Sequence, residues 1–230
     1  MIYITGDTHL PNDIGKLSEL NFPDCKNLTK DDYVIICGDF GGVWDNGEKE
    51  LYWREWLNKS NFTTLFVDGN HENFDLLNSY KVEQWHGGKV HFITENIIHL
   101  MRGQVFNING LKFWTMGGAT STDKENRQEH ISWWKEEIPN SNEMREGLDN
   151  LRKHNNEVDY IITHTCSSST LKDITEVYGF QPKPEDAVNK YLEIIEGKVK
   201  FRKWYFGHFH EDIEIDEKHT LVFEKIIKIQ

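Results

Sequence analysis

Ile2-Tyr3-Ile4-Thr5-Gly6-Asp7-Thr8-His9 decides how this chain is read. An apolar, β-branched run predicts a strand, and the run stops at a glycine, a carboxylate and an imidazole. The same arrangement returns four times. Tyr33-Val34-Ile35-Ile36-Cys37 leads into Gly38-Asp39, and Thr63-Thr64-Leu65-Phe66-Val67 precedes Gly69-Asn70-His71-Glu72. Tyr160-Ile161-Ile162 precedes Thr163-His164-Thr165, and Trp204-Tyr205-Phe206 precedes Gly207-His208-Phe209-His210. Clusters of this kind at the carboxyl ends of successive strands imply one crevice that collects them all.

The rest of the chain supplies the spacing that such a crevice needs. Strands are expected at Met1–Thr5, Tyr33–Cys37 and Thr63–Val67. Helices are expected over about Glu48–Lys59 and near Phe74–Ser79. This alternation predicts βαβ units and a largely parallel first sheet. Four close-spaced strands follow, at Val90–Thr94, Ile97–Met101, Val105–Ile108 and Leu111–Met116, and suggest a second sheet packed on the first. Asn109-Gly110 marks a hairpin between the last two. Residues 117–139 break the pattern after Gly117-Gly118 and read as an excursion over the site. A helix over Asn142–Asn155, a strand Asp159–Thr163, a helix Pro184–Glu196, a strand Lys203–Phe206 and a hairpin around Asp216-Glu217-Lys218 complete the chain. With no linker or repeat, residues 1–230 are expected to form one α/β domain.

Composition narrows the class. The chain of 230 residues is long enough for a sizeable core, and its formal charge of −12 disfavours a large nucleic-acid footprint. No apolar run is long enough to span a bilayer, and no basic leader precedes the first strand, so a cytoplasmic protein with no membrane contact is expected. Cys25, Cys37 and Cys166 form no C-x-x-C pair and read as reduced thiols.

The donors are Asp7, His9, Asp39, Asn70, His164, His208 and His210. Seven exceed what one catalytic zinc takes, and they suit two divalent ions sharing Asp39. Imidazole, carboxylate and amide donors without thiolate favour Mn2+, with Fe or Zn as alternatives. Two such ions activate a bridging hydroxide for in-line attack on phosphorus. The bland alternatives are an N-cap at Asn70, a turn residue at His71, and packing roles for Trp53, Trp56, Trp133 and Trp134. His86, His91, His99, His130, His154 and His219 read as structural.

Taken together, Asp-x-His, Gly-Asp, Gly-Asn-His-Glu, a lone His and Gly-His-x-His resemble the calcineurin-like metallophosphoesterase superfamily over nearly the whole chain. The resemblance implies an αββα sandwich of two mixed sheets between helices. It also implies that Asp7, His9, Asp39 and His210 hold one ion, and that Asp39, Asn70, His164 and His208 hold the other. His71 would protonate the leaving oxygen or steady the phosphoryl group. Phosphoprotein phosphatases of the superfamily carry Gly-Asp-x-x-Asp-Arg-Gly after the second strand. Here the stretch is Gly38-Asp39-Phe40-Gly41-Gly42-Val43-Trp44, so the Asp that orients the catalytic His and the Arg that binds phosphate are both absent. Asp45, Glu72 or a backbone carbonyl could orient His71 instead. The phosphate-binding cation is expected at Arg127, or else at Arg102. The expected activity is hydrolysis of a phosphomonoester or phosphodiester, on a phosphorylated small molecule or nucleotide. The competing readings are a nuclease resembling the DNA-break-repair exonucleases of the superfamily, and a non-catalytic protein-binding scaffold on the same fold. The scaffold is disfavoured because no donor position is lost.

Overall fold

All four residues of β1 (Ile2–Thr5) are buried, and the alternation of their side chains between two cores sets the layers. Ile2 and Ile4 join a core between two sheets, and Tyr3 joins a separate core on the outer side. The structure, a computed structural model, describes residues 1–180 and 185–230. Its first sheet runs β13 (Ile227–Lys228), β1, β2 (Tyr33–Ile36), β3 (Thr63–Phe66), β6 (Ile97–Leu100), β5 (Gly88–Thr94) and β4 (Val82–Trp85). Strands β1, β2, β3 and β6 are parallel, and their register aligns Ile4, Ile35, Leu65 and Ile98 in one row facing the second sheet. Val34, Ile36 and Phe66 face the other way, against Leu57 of α1 (Glu48–Lys59) and Phe74 and Leu77 of α2 (Phe74–Leu77).

The second sheet runs β11 (Ile213–Glu214), β12 (His219–Leu221), β10 (Lys203–Phe206), β9 (Tyr160–Thr163), β8 (Leu111–Met116) and β7 (Val105–Ile108). Phe113, Ile162 and Tyr205 point into the central core, while Trp114, Ile161 and Trp204 pair across β8, β9 and β10 on the outer face. That face is covered by Leu151 of α3 (Ser141–Lys153), Leu171 and Ile174 of α4 (Ser168–Tyr178), and Val188, Leu192 and Ile195 of α5 (Ala187–Glu196). The result is the expected αββα sandwich, mixed in both sheets.

Four elements depart from expectation. β5 and β6 extend the first sheet instead of founding the second, because β6 pairs in parallel with β3. β4 is an exposed edge strand, and Val82-Glu83-Gln84-Trp85 lacks the apolar alternation that would have revealed it. α4 begins in the polar run Ser167-Ser168-Ser169-Thr170, for which no element is expected. Ser167 is in fact its N-cap, accepting the Thr170 amide, and Leu171 and Ile174 then bind the helix to the sheet. The expected helix start at Pro184 lies outside the described residues, and the helix is seen from Ala187 behind a capping box at Asp186. The Asn109-Gly110 hairpin forms as expected, with both residues at positive φ.

Candidate metal centre

The loops leaving β1, β2, β3, β9 and β10 meet at one edge of the sandwich. Asp7, His9, Asp39 and His210 each bring a donor atom within 4.8 Å of the others. His9 Nε2 lies 3.2 Å from Asp39 Oδ2, and His210 Nε2 lies 3.2 Å from Asp7 Oδ2. The second group lies beside it. His164 Nε2 sits 3.0 Å from Asn70 Oδ1 and 3.4 Å from Asp39 Oδ1, and the His208 ring lies 4.9 Å from that of His164. The two oxygens of Asp39 therefore face different donor groups.

Neighbouring groups fix the rings. His9 Nδ1 pairs with Asp13 Oδ2 at 2.8 Å, and His164 Nδ1 with the Cys37 carbonyl at 2.9 Å. Both partners only accept, so each Nδ1 carries the proton and each Nε2 turns toward other acceptors. Nε2 lone pairs, carboxylate oxygens and an amide oxygen thus converge with nothing to separate them but a cation or protons. This donor chemistry fits divalent metal ions.

The electrostatics agree. Burial opposes charge on His9, yet hydrogen bonding and attraction from Asp39, with Asp7 and Asp13 adding, raise it to about 9. His164 is likewise raised to about 9 by Asp39 and Asp7 against the cost of burial. Burial would push Asp39 up, but His164 and His9 hold it well below the usual carboxylate range. The carboxylates of Asp39 and Asp7 thus favour positive charge at this spot. A divalent cation would displace those protons.

Backbone geometry is unusual at the same positions. His9, Asp39, His208 and His210 all have positive φ, at 34°, 44°, 72° and 54°. Non-glycine residues seldom adopt this region, and such strain gathers at functional sites. Gly69 is required for close approach, because a Cβ there would fall 2.0 Å from Asp39 Oδ1.

A family model described as calcineurin-like phosphoesterase matches residues 1–212. The chain belongs to the calcineurin-like phosphoesterase family. It is also similar to a lariat debranching enzyme of Entamoeba histolytica, 25% identical over 187 residues, which cover 76% of this chain and 49% of that protein. The chain thus spans about half the length of this curated relative.

In this calcineurin-like phosphoesterase, His71 does not use Asp45 or Glu72 as its partner. Its Nδ1 lies 3.0 Å from Nη1 of Arg127, carried in from the 117–139 excursion, and its backbone N–H donates to Asp39 Oδ1 at 2.8 Å. Glu72 is buried and accepts the amides of Phe40 and Gly41, so it shapes the loop after Asp39. Asn70 is not an N-cap, a role that falls to Asn73. Arg102 is not brought to the donors. It is buried against Asp68, with Nε and Nη2 at 2.9 and 2.6 Å from Oδ2. Trp134 is buried, and Trp53 and Trp56 pack beside the same core. Sequence reasoning missed Asp13, four residues after His9, and Ser121, which meets Asn70. The Asp13 spacing was visible, but the Ser121 contact joins positions 51 residues apart.

Proposed function

We propose that this protein is a dinuclear metal-dependent phosphoesterase that hydrolyses the phosphate ester of a small molecule or nucleotide. The observation that carries the reading is Asp39, whose two oxygens face His9 on one side and His164 on the other. In this reading Asp7, His9, Asp39 and His210 hold one ion, and Asp39, Asn70, His164 and His208 hold the other. Mn2+ is the first candidate, with Fe or Zn as alternatives. When bound, such ions supply a nucleophile from water and neutralise charge on the phosphoryl oxygens.

The chain's own residues position the ester. Arginine only donates, so the Arg127 contact makes His71 Nδ1 an acceptor, and the neutral ring carries its proton on Nε2. That geometry favours His71 as a hydrogen-bond donor that steadies the phosphoryl group. Arg127 adds a fixed positive charge beside it. A cavity of about 430 Å³ opens over Asp39, Asn70, His71, His208 and His210. It is of small-ligand size, and Phe180 and Phe209 line one side. Residues 117–139 act as a cover that belongs to the same single domain.

The second reading is a nuclease, and similarity to a lariat debranching enzyme favours it. The formal charge of −12 speaks against a long polyanion. No helix among the described residues is long and apolar enough to cross a membrane.

Metal analysis of the purified protein, with hydrolysis of p-nitrophenyl and bis-p-nitrophenyl phosphate in added Mn2+, tests the proposal. Two ions and turnover of either ester support it. Turnover of the diester alone, together with cleavage of single-stranded nucleic acid, moves the assignment to a nuclease. No metal and no turnover would leave the protein-binding scaffold.

A further inference from the structure

Asn70 presents its Oδ1 toward His164 because its other end is tied. Its Nδ2 donates to Ser121 Oγ at 3.2 Å. Ser121 Oγ in turn donates to Glu137 Oε2 at 2.6 Å, and the Ser121 amide donates to Glu137 Oε1 at 3.0 Å. All three residues are buried, with exposures of 6%, 2% and 1% for Asn70, Ser121 and Glu137. Among the described residues, no lysine, arginine or histidine forms an ion pair with the Glu137 carboxylate. A buried carboxylate whose side-chain contacts are one hydroxyl and one amide is costly and calls for a reason.

The reason lies in the asymmetry of an amide. Oxygen and nitrogen ends have nearly the same shape, but only the oxygen can bind a cation. A hydroxyl alone would not choose between them, since it can donate to the oxygen or accept from the nitrogen. Glu137 Oε2 accepts from Ser121 Oγ and so takes the single Ser121 hydroxyl proton. Ser121 Oγ is then left with lone pairs toward Asn70, and it can take only the Nδ2 end.

We infer that Ser121 and Glu137 are positioning residues that lock the Asn70 amide with its oxygen toward the metal centre. They act through the Asn70 amide. The inference rests on the proposed reading of Asn70 as a donor to the second ion.

The test is Mn2+ titration, by calorimetry, of the full chain and of four variants. Ser121→Ala and the isosteric Glu137→Gln should each weaken the Asn70-side ion by about 10–100-fold, the range for partners that orient a ligand. The other ion should keep its affinity. Asn70→Asp introduced into the Ser121→Ala protein should restore the weakened site, because the two carboxylate oxygens are equivalent and need no orientation. A purely structural loss would not be rescued in this way. Unchanged affinity in both Ser121→Ala and Glu137→Gln overturns the inference, as does failure of Asn70→Asp to restore binding. A different result marks failure of the underlying reading. If Asn70→Ala binds two Mn2+ ions as the wild type does, Asn70 is no ligand and the inference falls with that assignment.

Discussion

Nη1 of Arg127 lies 3.0 Å from Nδ1 of His71, joining a residue of the excursion to the loop after β3. Gly42 stands where the phosphoprotein phosphatases of the superfamily carry an Asp, and here it is Arg127 that meets His71. The two solutions differ in sign. An Asp would accept from Nδ1 and favour a charged ring, whereas Arg127 donates to it. Burial lowers the pKa of His71, and the charges of Arg127 and His9 lower it further, against the pull of Asp39. Arg127→Ala should reduce kcat/KM by about 100-fold, the usual scale for one preorganised donor. Bound metal should stay at the wild-type level. Arg127→Lys should recover little, because an ammonium lacks the planar fork that also reaches Asp123 and the Ser132 carbonyl. Wild-type kinetics in Arg127→Ala would remove it from the site.

Asp39→Asn probes the proposed bridge. The substitution keeps the size of the side chain but removes the charge, and it leaves one oxygen where two now face opposite donor groups. Affinity for both ions should fall, by more than the roughly 10–100-fold that outer partners cost. A Mn2+ titration showing two ions at wild-type affinity would refute the bridge.

Asp13→Ala separates ligand from support. Asp13 is half-exposed and holds Nδ1 of His9 at 2.8 Å, which fixes the proton on that nitrogen. Without it the ring is free to turn or to change tautomer. Affinity for the ion on the His9 side should drop by about 10-fold or more, with the His164 side unaffected. Equal losses at both sites would show instead that the loop itself had moved.

Much of this site was legible because its donors lie beside strand ends, where apolar runs stop at short polar clusters. β1, β2, β3, β9 and β10 were readable for that reason, and their parallel register carries the loops to one edge. What was not legible depends on distant pairings. The choice between Arg127 and Arg102 is one such case. Both are arginines beyond the first three strands, but Arg102 is consumed by Asp68 and only Arg127 reaches His71. The placement of β6 beside β3 and the contact of Ser121 with Asn70 are two more. The polar start of α4 hid a helix whose stability comes from Leu171 and Ile174 against the sheet, a tertiary term that overrides local propensity.

His91, buried beside His99 behind the centre, predicts a fall in stability with acid. His91 is 1% exposed and its Nδ1 meets Nδ1 of His99 at 3.1 Å, while His99 Nε2 meets Asp68 Oδ1 at 3.1 Å. Burial, with repulsion from His99 second, lowers His91 from its ordinary 6.5 to about 4, and Asp68 only partly opposes this. Above pH 6.5 the group is neutral in both folded and unfolded chains and contributes nothing to pH dependence. Between pH 6.5 and 4 the unfolded chain takes up a proton that the folded one resists, so stability falls with falling pH. The expected loss attributable to His91 is on the order of 3 kcal/mol across that window, at about 1.4 kcal/mol per unit for one fully differential proton. Urea unfolding at pH 7 and pH 4.5 should therefore show a smaller decline for His91→Gln than for the wild type. Taking the difference between the two proteins cancels any loss of the proposed metal on acidification, which both would share. Parallel declines would mean that His91 is charged, or accessible, in the folded protein.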